Sequence, residues 1–594
     1  MSERRLHRIP KRALTTVLAL AAVGSLTRCT GPDADQLSSG PVEIRIPSDW
    51  RFADAQPPVS ARNGVVSSTD EYASQAGLDI LQAGGNAVDA AIATHFALAV
   101  VNPSAGNIGG GGFMIVRMAD GTKLALNFRE KAPLAAYQDM FLDEHGNVTG
   151  SALTGARAPG VPGSVMGMWQ AHRRFGSLPW EDLLQPAIGL ADGHVLEERL
   201  ASSLRGAGES LREFPSTAEI FLPGGKVPQL GEVFRQTDLA ATLRRVAAEG
   251  PDDFYRGKTA DLILAEMKHG DGLITREDLQ IYTAEWVEPV VIDYRGYKII
   301  SMAPPSSGGA TMGEIAHILE GHDLRALGFH TPEMIHLYTE AAKLAYADRN
   351  TYLGDPKFVT MPLTRMTSTE YAAERRAMID LTRATPSSEI NPGMGEPPIE
   401  SPETTHYSVV DGEGNAVSVT TTIRSGFGSR LTVTGAGFLL NETQGDFATK
   451  PGFPNSQGLV TGFNNAVGPE RRPLSSMTPT IVEDPSGRLF FLTGSPGGGT
   501  IINTVFQTIS NLVDFDMNIV EAVNAPRIHH QHLPDELRYE QGGLDAETIT
   551  ALRALGHNLV ERTSQGDVQA IMAMPDGTYQ AWSDLRQGGR ALGY

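Results

Sequence analysis

One stretch of β-branched residues, interrupted by a single turn, constrains the fold of this chain more than any other feature. Residues 404–410 read TTHYSVV, residues 416–423 read AVSVTTTI, and the DGEGN between them is rich in turn formers. Two such runs around a short Gly/Asp/Asn turn predict a β-hairpin. If the turn is centred on Glu413, antiparallel pairing sets Thr404 opposite Thr422, with Cβ atoms about 4.5–5.5 Å apart.

The segment before the hairpin has the opposite character. Residues 385–403 read TPSSEINPGMGEPPIESPE, which has no helical or strand period and many residues that break both structures. One interpretation is that Thr404 merely begins a strand after a surface loop, and the hairpin alone favours it. The other is that the chain is cut here and Thr404 becomes a new N-terminus.

The rest of the chain favours the cut. Over about residues 60–594, in one colinear order, the sequence resembles the γ-glutamyltranspeptidases, which are N-terminal-nucleophile hydrolases. The segments that carry this resemblance are NGVV at 63–66, GGNAVDAA at 84–91, FREKAP at 128–133, residues 403–447, RPLSSM at 472–477, GSPGG at 494–498 and NAPRIHHQ at 524–531.

The resemblance implies an α+β protein built as a four-layer αββα sandwich. It also implies a proenzyme that cuts itself between Glu403 and Thr404. The products would be a large subunit of residues 62–403 and a small catalytic subunit of residues 404–594, which stay together as a heterodimer and form one globule.

Local patterns independently support the α+β class, without fixing the number of layers. Four turn signals each separate short β-rich runs, which predicts sheets built mainly from antiparallel hairpins. They lie at residues 120–121, 411–415, 484–487 and 575–577. Helical spacing and capping residues predict helices at residues 70–82, 87–101, 331–349 and 501–513.

A cut before Thr404 would give this threonine its own base. A hydroxyl is a weak nucleophile until a base accepts its proton, and a free N-terminal amine has a reference pKa of about 7.7–8.0. We expect the Thr404 hydroxyl first to attack the Glu403 carbonyl and release the new N-terminus. The mature residue would then form an acyl intermediate and pass the acyl group to water, an amino acid or a dipeptide, with ping-pong kinetics.

The resemblance assigns roles to further residues. Thr422 would hydrogen-bond the nucleophile, and the backbone N–H groups of Gly497 and Gly498 would stabilise the tetrahedral oxyanion. An arginine fork suits a carboxylate because it can bind both oxygens. The implied contacts of the γ-glutamyl group are Arg129, Ser475 and Ser476 for its α-carboxylate and Asp446 for its ammonium.

Three residues depart from the family pattern. Arg424 stands where the family usually has an amide or a small polar side chain. Thr443, three residues before Asp446, replaces a glutamine or glutamate that contacts the ammonium. Gln457, in a predicted lid at 450–459, stands where bacterial relatives often carry a tyrosine.

These departures leave the donor open. An added cation and a lost acceptor disfavour a substrate ammonium and favour a second carboxylate. The first prediction is a γ-glutamyltransferase and glutathione hydrolase, with glutathione as donor. A glutaryl-amide acylase of the same fold, as in the related cephalosporin acylases, is the alternative. A third possibility is a lipoprotein that keeps the fold and binds a ligand without chemistry.

The charge of the chain narrows its partners. With 49 basic and 69 acidic residues its formal net charge is −20, which disfavours a nucleic-acid partner. A small-molecule substrate fits better, and no cofactor is expected. A serine-hydrolase G-x-S-x-G elbow is absent from the sequence.

The first residues have the pattern of an export signal. Five basic residues precede an apolar run at 13–26, which is shorter than a membrane span of about 20 residues. Residues 1–29 are therefore predicted as a signal peptide and residues 30–61 as a flexible tether. Cys29, the only cysteine, either carries a lipid in the bacterial periplasm or cell envelope, or ends an ordinary signal peptide.

Two further motifs are predicted to be structural. The glycine-rich run at 106–112 lacks the lysine of a phosphate loop and precedes a strand pattern, so a tight turn is favoured. The run HHQH at 529–532 could suggest metal ligation, but no partner cluster with ligand spacing accompanies it. No metal is predicted.

Overall fold

The computed structural model describes residues 42–53, 56–393, 404–453 and 462–594. The predicted signal peptide with Cys29, the predicted cleavage residue Glu403 and the lid residue Gln457 lie outside these ranges. Among the described helices, none combines the length and apolar character that a membrane crossing needs.

Nineteen strands are described, most of them short. They are β1 Val59–Ala61, β2 Gly64–Ser68, β3 Gly111–Arg117, β4 Lys123–Asn127, β5 His194–Val195, β6 Val233–Phe234, β7 Glu285–Val287, β8 Val290–Tyr294, β9 Tyr297–Ser301, β10 Thr405–Asp411, β11 Ala416–Thr422, β12 Thr480–Glu483, β13 Leu489–Thr493, β14 Ile528–His529, β15 Leu537–Glu540, β16 Leu559–Arg562, β17 Gln569–Ala573, β18 Tyr579–Ser583 and β19 Arg590–Gly593.

The described α-helices number eighteen. They are α1 Glu71–Gln82, α2 Ala87–Val101, α3 Ser164–Phe175, α4 Trp180–Asp192, α5 Glu198–Leu211, α6 Pro215–Phe221, α7 Thr237–Glu249, α8 Pro251–Tyr255, α9 Lys258–His269, α10 Arg276–Ile281, α11 Gly308–Glu320, α12 Leu324–Leu327, α13 Pro332–Tyr352, α14 Leu363–Met366, α15 Thr369–Arg376, α16 Thr500–Val513, α17 Ile519–Asn524 and α18 Ala546–Ala554.

Two seven-stranded sheets pack face to face. One has the order β19-β2-β10-β11-β3-β4-β7 and the other β1-β18-β17-β13-β12-β9-β8. Helices α1 and α2 contact the outer face of the first sheet, α11 and α17 contact the second, and β10 and β11 contact β17 and β13 between the sheets. The order helix, sheet, sheet, helix confirms the predicted α+β fold and its four-layer αββα sandwich.

Strand alternation explains why both central strands are fully buried. Val409 and Val410 are neighbours in β10, so their side chains leave opposite faces of the sheet. Val409 packs in the core under α1 and α2, whereas Val410 packs in the core shared with the second sheet. Both faces of the strand are therefore buried, and its residues do not alternate between buried and exposed.

The predicted hairpins and helices are confirmed. In the hairpin of β10 and β11, Thr405 pairs with Thr421, which is the register expected from a turn centred on Glu413. The other three turn signals also join paired strands. Asp70 caps α1 and Asn86 caps α2, while α13 and α16 cover the other predicted helices.

Asp411 ties the hairpin turn to the helical layer. One carboxylate oxygen accepts the N–H groups of Glu413 and Asn415 at 2.9 and 3.0 Å. The other accepts the N–H of Ala87, the first residue of α2, at 2.9 Å. Because the side chain is buried, these bonds fix the end of the hairpin relative to the helix.

Strands of the two predicted subunits alternate within one sheet. Strands β10 and β11 of the small subunit lie between β2 and β3 of the large one. A cut before Thr404 would leave this ladder of hydrogen bonds intact, so the two pieces would remain one globule.

The predicted tether of residues 30–61 is wrong for its second part. Trp50 is buried, and its indole Nε1 donates to the Asn524 carbonyl at 2.9 Å. Residues 59–61 form β1 at the edge of the second sheet. The Pro, Ser and Asp content suggested a linker, but one tryptophan and a short strand anchor this segment to the globule.

Candidate active site

Thr404 lies at the meeting point of two cavities. It directly precedes β10 and is only 8% exposed, and it lines both a small cavity and a larger cleft of about 830 Å³. Thr422, the last residue of β11, lines the small cavity with it. The hairpin therefore delivers both threonines to one place, as the sequence predicts.

The small cavity contains most of the residues that the sequence singles out. Its volume of about 10 Å³ suffices for about one water molecule. It is lined by Arg129, Thr404, Thr422, Arg424, Asp446, Ser475, Ser476, Met477, Gly498 and Ile501.

Asp446 is held between two arginines in this cavity. Its Oδ1 accepts from Arg424 Nε at 2.8 Å, and its Oδ2 accepts from Arg129 Nη2. Arg424 adopts a left-handed φ of 82°, which is strained for a residue with a side chain. The Thr422 hydroxyl accepts the Arg424 N–H at 2.8 Å, so the turn after β11 aims the guanidinium at Asp446.

Two further carboxyls share these arginines. Glu442 Oε1 lies 3.3 Å from Arg424 Nη1, and Glu130 Oε2 lies 3.1 Å from Arg129 Nη1. Burial raises the pKa of Glu442 and the pKa of Glu130 to about 7, although the neighbouring guanidinium groups oppose the rise. The charge of the site therefore changes near neutral pH.

Gly497 and Gly498 occupy backbone conformations that favour glycine. Their φ values are 133° and 57°, and a Cβ on Gly497 would lie 2.4 Å from the Thr500 hydroxyl. Their carbonyls accept bonds from the first turn of α16, whereas their own N–H groups donate to no acceptor within the described ranges. Gly498 lines the small cavity and Gly497 lines the cleft, so each glycine shares a cavity wall with Thr404.

A third arginine supports the serine pair. Arg349 Nη2 donates to the Ser476 hydroxyl at 3.1 Å, and burial lowers the pKa of Arg349 to about 10. The Ser475 carbonyl accepts the N–H of Ser307 at 2.6 Å. These bonds hold the segment 472–477 against the start of α11.

Thr443 is a predicted substrate-binding residue that does not line the small cavity. Its hydroxyl donates to the Asn441 side chain at 2.7 Å. Sequence reasoning missed Glu130, Glu442 and Arg349. Glu130 and Glu442 lie inside the motifs quoted above. For Arg349 the sequence offers only its place as a charged residue near the end of a predicted helix.

The glycine-rich run at 106–112 and the HHQH run at 529–532, both predicted to be structural, make contacts within the protein. A Cβ on Gly110 would lie 2.1 Å from the Thr422 carbonyl, so this glycine permits close approach of two backbones. In the HHQH run, His529 contacts Asn503 and Gln531 through its two ring nitrogens. His530 contacts Asp535 at 3.2 Å.

Within the described residues, one cluster has the spacing of metal ligands. His336, Glu340 and His557 place ligand atoms within 4.8 Å of one another. However, His336 Nδ1 and His557 Nε2 already share a hydrogen bond of 2.8 Å. The ammonium of Lys343 lies 2.9 Å from Glu340, and a buried cation there disfavours a second one.

Several known proteins are similar to this chain over nearly its whole length. The sequence profile of the family described as gamma-glutamyltranspeptidase matches residues 73–594. The glutathione hydrolase proenzyme of Escherichia coli strain K12 is 45% identical over 573 residues, which is 96% of this chain and 97% of that protein. The acylase ACY 1 proenzyme of Pseudomonas sp. strain SE83 is 37% identical over 545 residues, covering 90% and 94%. The crystal structure of a cephalosporin acylase from Bacillus halodurans superposes with a TM-score of 0.81 at 29% identity, covering 92% of this chain and 99% of that one.

Proposed function

This chain belongs to the gamma-glutamyltranspeptidase family, and on that premise we propose that it is a glutathione hydrolase and γ-glutamyltransferase whose nucleophile is Thr404. One observation carries the proposal. Thr404 lines both a small cavity, whose walls include Arg129 and Asp446, and a larger cleft with room for a second substrate.

We propose that the proenzyme is cut before Thr404. The hydroxyl oxygen attacks the Glu403 carbonyl carbon, and the peptide C–N bond breaks as the Thr404 nitrogen takes the proton. Water then hydrolyses the resulting ester, which leaves a carboxylate on Glu403 and restores the hydroxyl. The large subunit of residues 62–403 and the small subunit of residues 404–594 stay paired through the shared sheet.

The mature amine then serves as base for catalysis. It accepts the hydroxyl proton as Thr404 attacks the γ-carbonyl of the donor, and the N–H groups of Gly497 and Gly498 bind the oxyanion. The leaving amine takes the proton and departs. Water or an acceptor amine attacks the γ-glutamyl ester in the second half of the reaction, with the same amine as base.

Donor binding requires an exchange of ion-pair partners. The small cavity has almost no free volume because the guanidinium groups of Arg129 and Arg424 already hold Asp446. The α-carboxylate of a γ-glutamyl group would replace Asp446 at Arg129, and the substrate ammonium would bind the released Asp446. Arg129 exchanges one carboxylate for another, and Asp446 exchanges the guanidinium of Arg129 for the substrate ammonium. No buried charge is therefore left without a partner.

A direct test compares two chromogenic donors on the purified enzyme. We expect γ-glutamyl anilide to be hydrolysed with a higher kcat/KM than glutaryl anilide, because only the former supplies an ammonium for Asp446. Initial rates of aniline release give both constants. Equal or faster cleavage of glutaryl anilide would overturn the proposed donor while leaving the nucleophile untouched.

A glutaryl-amide acylase is the second candidate, and Arg424 favours it. Its guanidinium contacts Asp446 and Glu442. The first contact occupies the Asp446 carboxylate that a substrate ammonium would need. A donor without an α-amino group would displace Asp446 from Arg129 only and would leave the ion pair between Arg424 and Asp446 in place.

The relative use of the two donors should depend on pH. Glu442 and Glu130, with pKa values raised to about 7, lose their negative charge as the pH falls below that value. The cavity then becomes more positive, which disfavours the ammonium of γ-glutamyl anilide. We expect the glutaryl-to-glutamyl ratio of kcat/KM to rise about tenfold between about pH 8 and about pH 6.

Titration of the Thr404 amine changes kcat/KM for both donors alike. The ratio of the two kcat/KM values therefore reports the charge of Glu442 and Glu130 and not that of the catalytic base. Glu442→Gln, which is neutral at every pH, should raise the ratio at pH 8 and flatten its pH dependence. A ratio that stays constant across this range in the wild-type enzyme would rule out the carboxyls as its cause.

We propose the same partners and cellular location that the sequence predicts. We expect small-molecule donors and acceptors, export through residues 1–29, and attachment to a membrane only through that signal or a lipid on Cys29.

A further inference from the structure

The larger cleft that Thr404 lines carries a concentration of positive charge. Among the described residues, four arginines line it and no aspartate or glutamate does. They are Arg199, Arg430, Arg538 and Arg562. The formal net charge of the whole chain is −20, so the charge of this cleft wall is opposite in sign to that of the protein.

The charges of these arginines are only partly neutralised. Arg199 pairs with the buried Asp567 at 2.9 Å, while Arg538 and Arg562 share one carboxylate, Glu536, at 3.1 and 3.4 Å. Arg430 forms no ion pair with any carboxyl of the described residues. Within ion-pair distance, the four guanidinium groups share two carboxylates of the described residues, Asp567 and Glu536, which leaves a surplus of positive charge on the cleft wall.

The arginines come from separate parts of the fold and surround the cleft. Arg199 lies in the first turn of α5, Arg538 in β15 and Arg562 at the end of β16. Arg430 lies in the loop after β11 with a left-handed φ of 62°. Its backbone N–H is held by the Phe427 carbonyl at 3.0 Å, so the strained turn is fixed.

The position of the cleft defines what it can bind. Thr404 lines both spaces, and the small cavity contains the predicted contacts of the acyl group. The group that leaves the acyl carbon, and the acceptor that later attacks it, must therefore occupy the cleft. A neutral wall would serve for any amine, whereas guanidinium groups recognise carboxylates.

We propose that this cleft is an acceptor site that selects anionic amines, namely short peptides with an acidic side chain besides their terminal carboxylate, through Arg430 and Arg562. This inference rests on the proposed function, because it concerns the second substrate of that reaction. One carboxylate of the acceptor pairs with Arg430, and the second reaches the arginine pair of β15 and β16.

The test uses one donor and three acceptors on the two-chain enzyme. The donor is γ-glutamyl anilide, and the acceptors are Gly-Glu, Gly-Gly and Gly-Gly amide, which carry two, one and no carboxylates. We expect acceptor kcat/KM to fall in that order, by about fivefold for each carboxylate removed. Added salt should narrow the range, because it screens partly exposed charges.

Two variants assign the effect to residues. Arg430→Gln and Arg562→Gln should each lower the ratio of Gly-Glu to Gly-Gly amide about fivefold. The ratio is taken within each variant, so a smaller fraction of folded enzyme cancels. Arg173→Gln, at an exposed position on α3 that is not part of the cleft lining, serves as the matched control and should leave the ratio unchanged.

The outcomes separate this inference from the proposed function. Donor hydrolysis without any acceptor reports the function alone, and its absence would overturn both. Normal donor hydrolysis with equal use of the three acceptors would overturn the anionic acceptor site alone. Loss of preference in Arg173→Gln as well would show that overall charge, not the cleft, selects the acceptor, and would also overturn it.

Discussion

Thr404→Ala is expected to leave a single uncut polypeptide with no measurable turnover. The substitution removes the hydroxyl that would attack the Glu403 carbonyl, so the peptide bond before residue 404 persists. It also removes both the nucleophile and, because no new N-terminus forms, the amine that would act as its base. Loss of a nucleophile of this kind lowers kcat by about 10⁴-fold or more.

A denaturing gel and N-terminal sequencing check the cut. Wild-type protein should give two fragments, the smaller beginning at Thr404. Thr404→Ser keeps a hydroxyl and is the matched control, and it should still be cut, more slowly, and retain activity. A wild-type preparation that is fully active as an unbroken chain would contradict the mechanism at its first step.

The hairpin shows why the sequence could predict the position of Thr404 opposite Thr422. Its register depends on local information, namely two β-branched runs and one turn, and the structure keeps that register from Thr405 to Val410. The same holds for the helices capped by Asp70 and Asn86, since caps act within one turn. Such features need no knowledge of distant parts of the chain.

The ion pairs of the site could not be predicted in the same way. Arg129 and Asp446 are 317 positions apart, and no local period links them. The family resemblance brought them together only as separate contacts of a substrate. That they contact each other, and that Arg424 joins them, depends on the strained turn after β11 and on how the first sheet packs.

Thr443 illustrates a different limit. Its place in the motif implied a substrate contact, yet its hydroxyl bonds the Asn441 side chain two residues earlier. Short side chains of this type readily bond their own neighbourhood. A motif position therefore does not fix the direction of a small polar group.

Asp446→Asn should separate the two candidate donors more than any other substitution. Asparagine keeps the size of the side chain but removes the charge that binds a substrate ammonium. A hydrogen bond to a charged group contributes about 1.5–3 kcal/mol, so we expect kcat/KM for γ-glutamyl anilide to fall about 100-fold. Glutaryl anilide needs only the arginines, which the variant leaves in place, and its kcat/KM should fall far less.

The control for this variant is Asp192→Asn, which removes a carboxylate from an exposed ion pair with Arg244 and should change neither donor. Thermal unfolding must be followed in parallel, because Arg129 and Arg424 lose a buried partner and breaking such a pair costs about 3–5 kcal/mol. If the variant is folded and both donors fall equally, Asp446 acts by holding the arginines rather than by binding an ammonium. A selective loss of γ-glutamyl cleavage would instead require that Asp446, although it is bound to two arginines, releases them to receive the substrate.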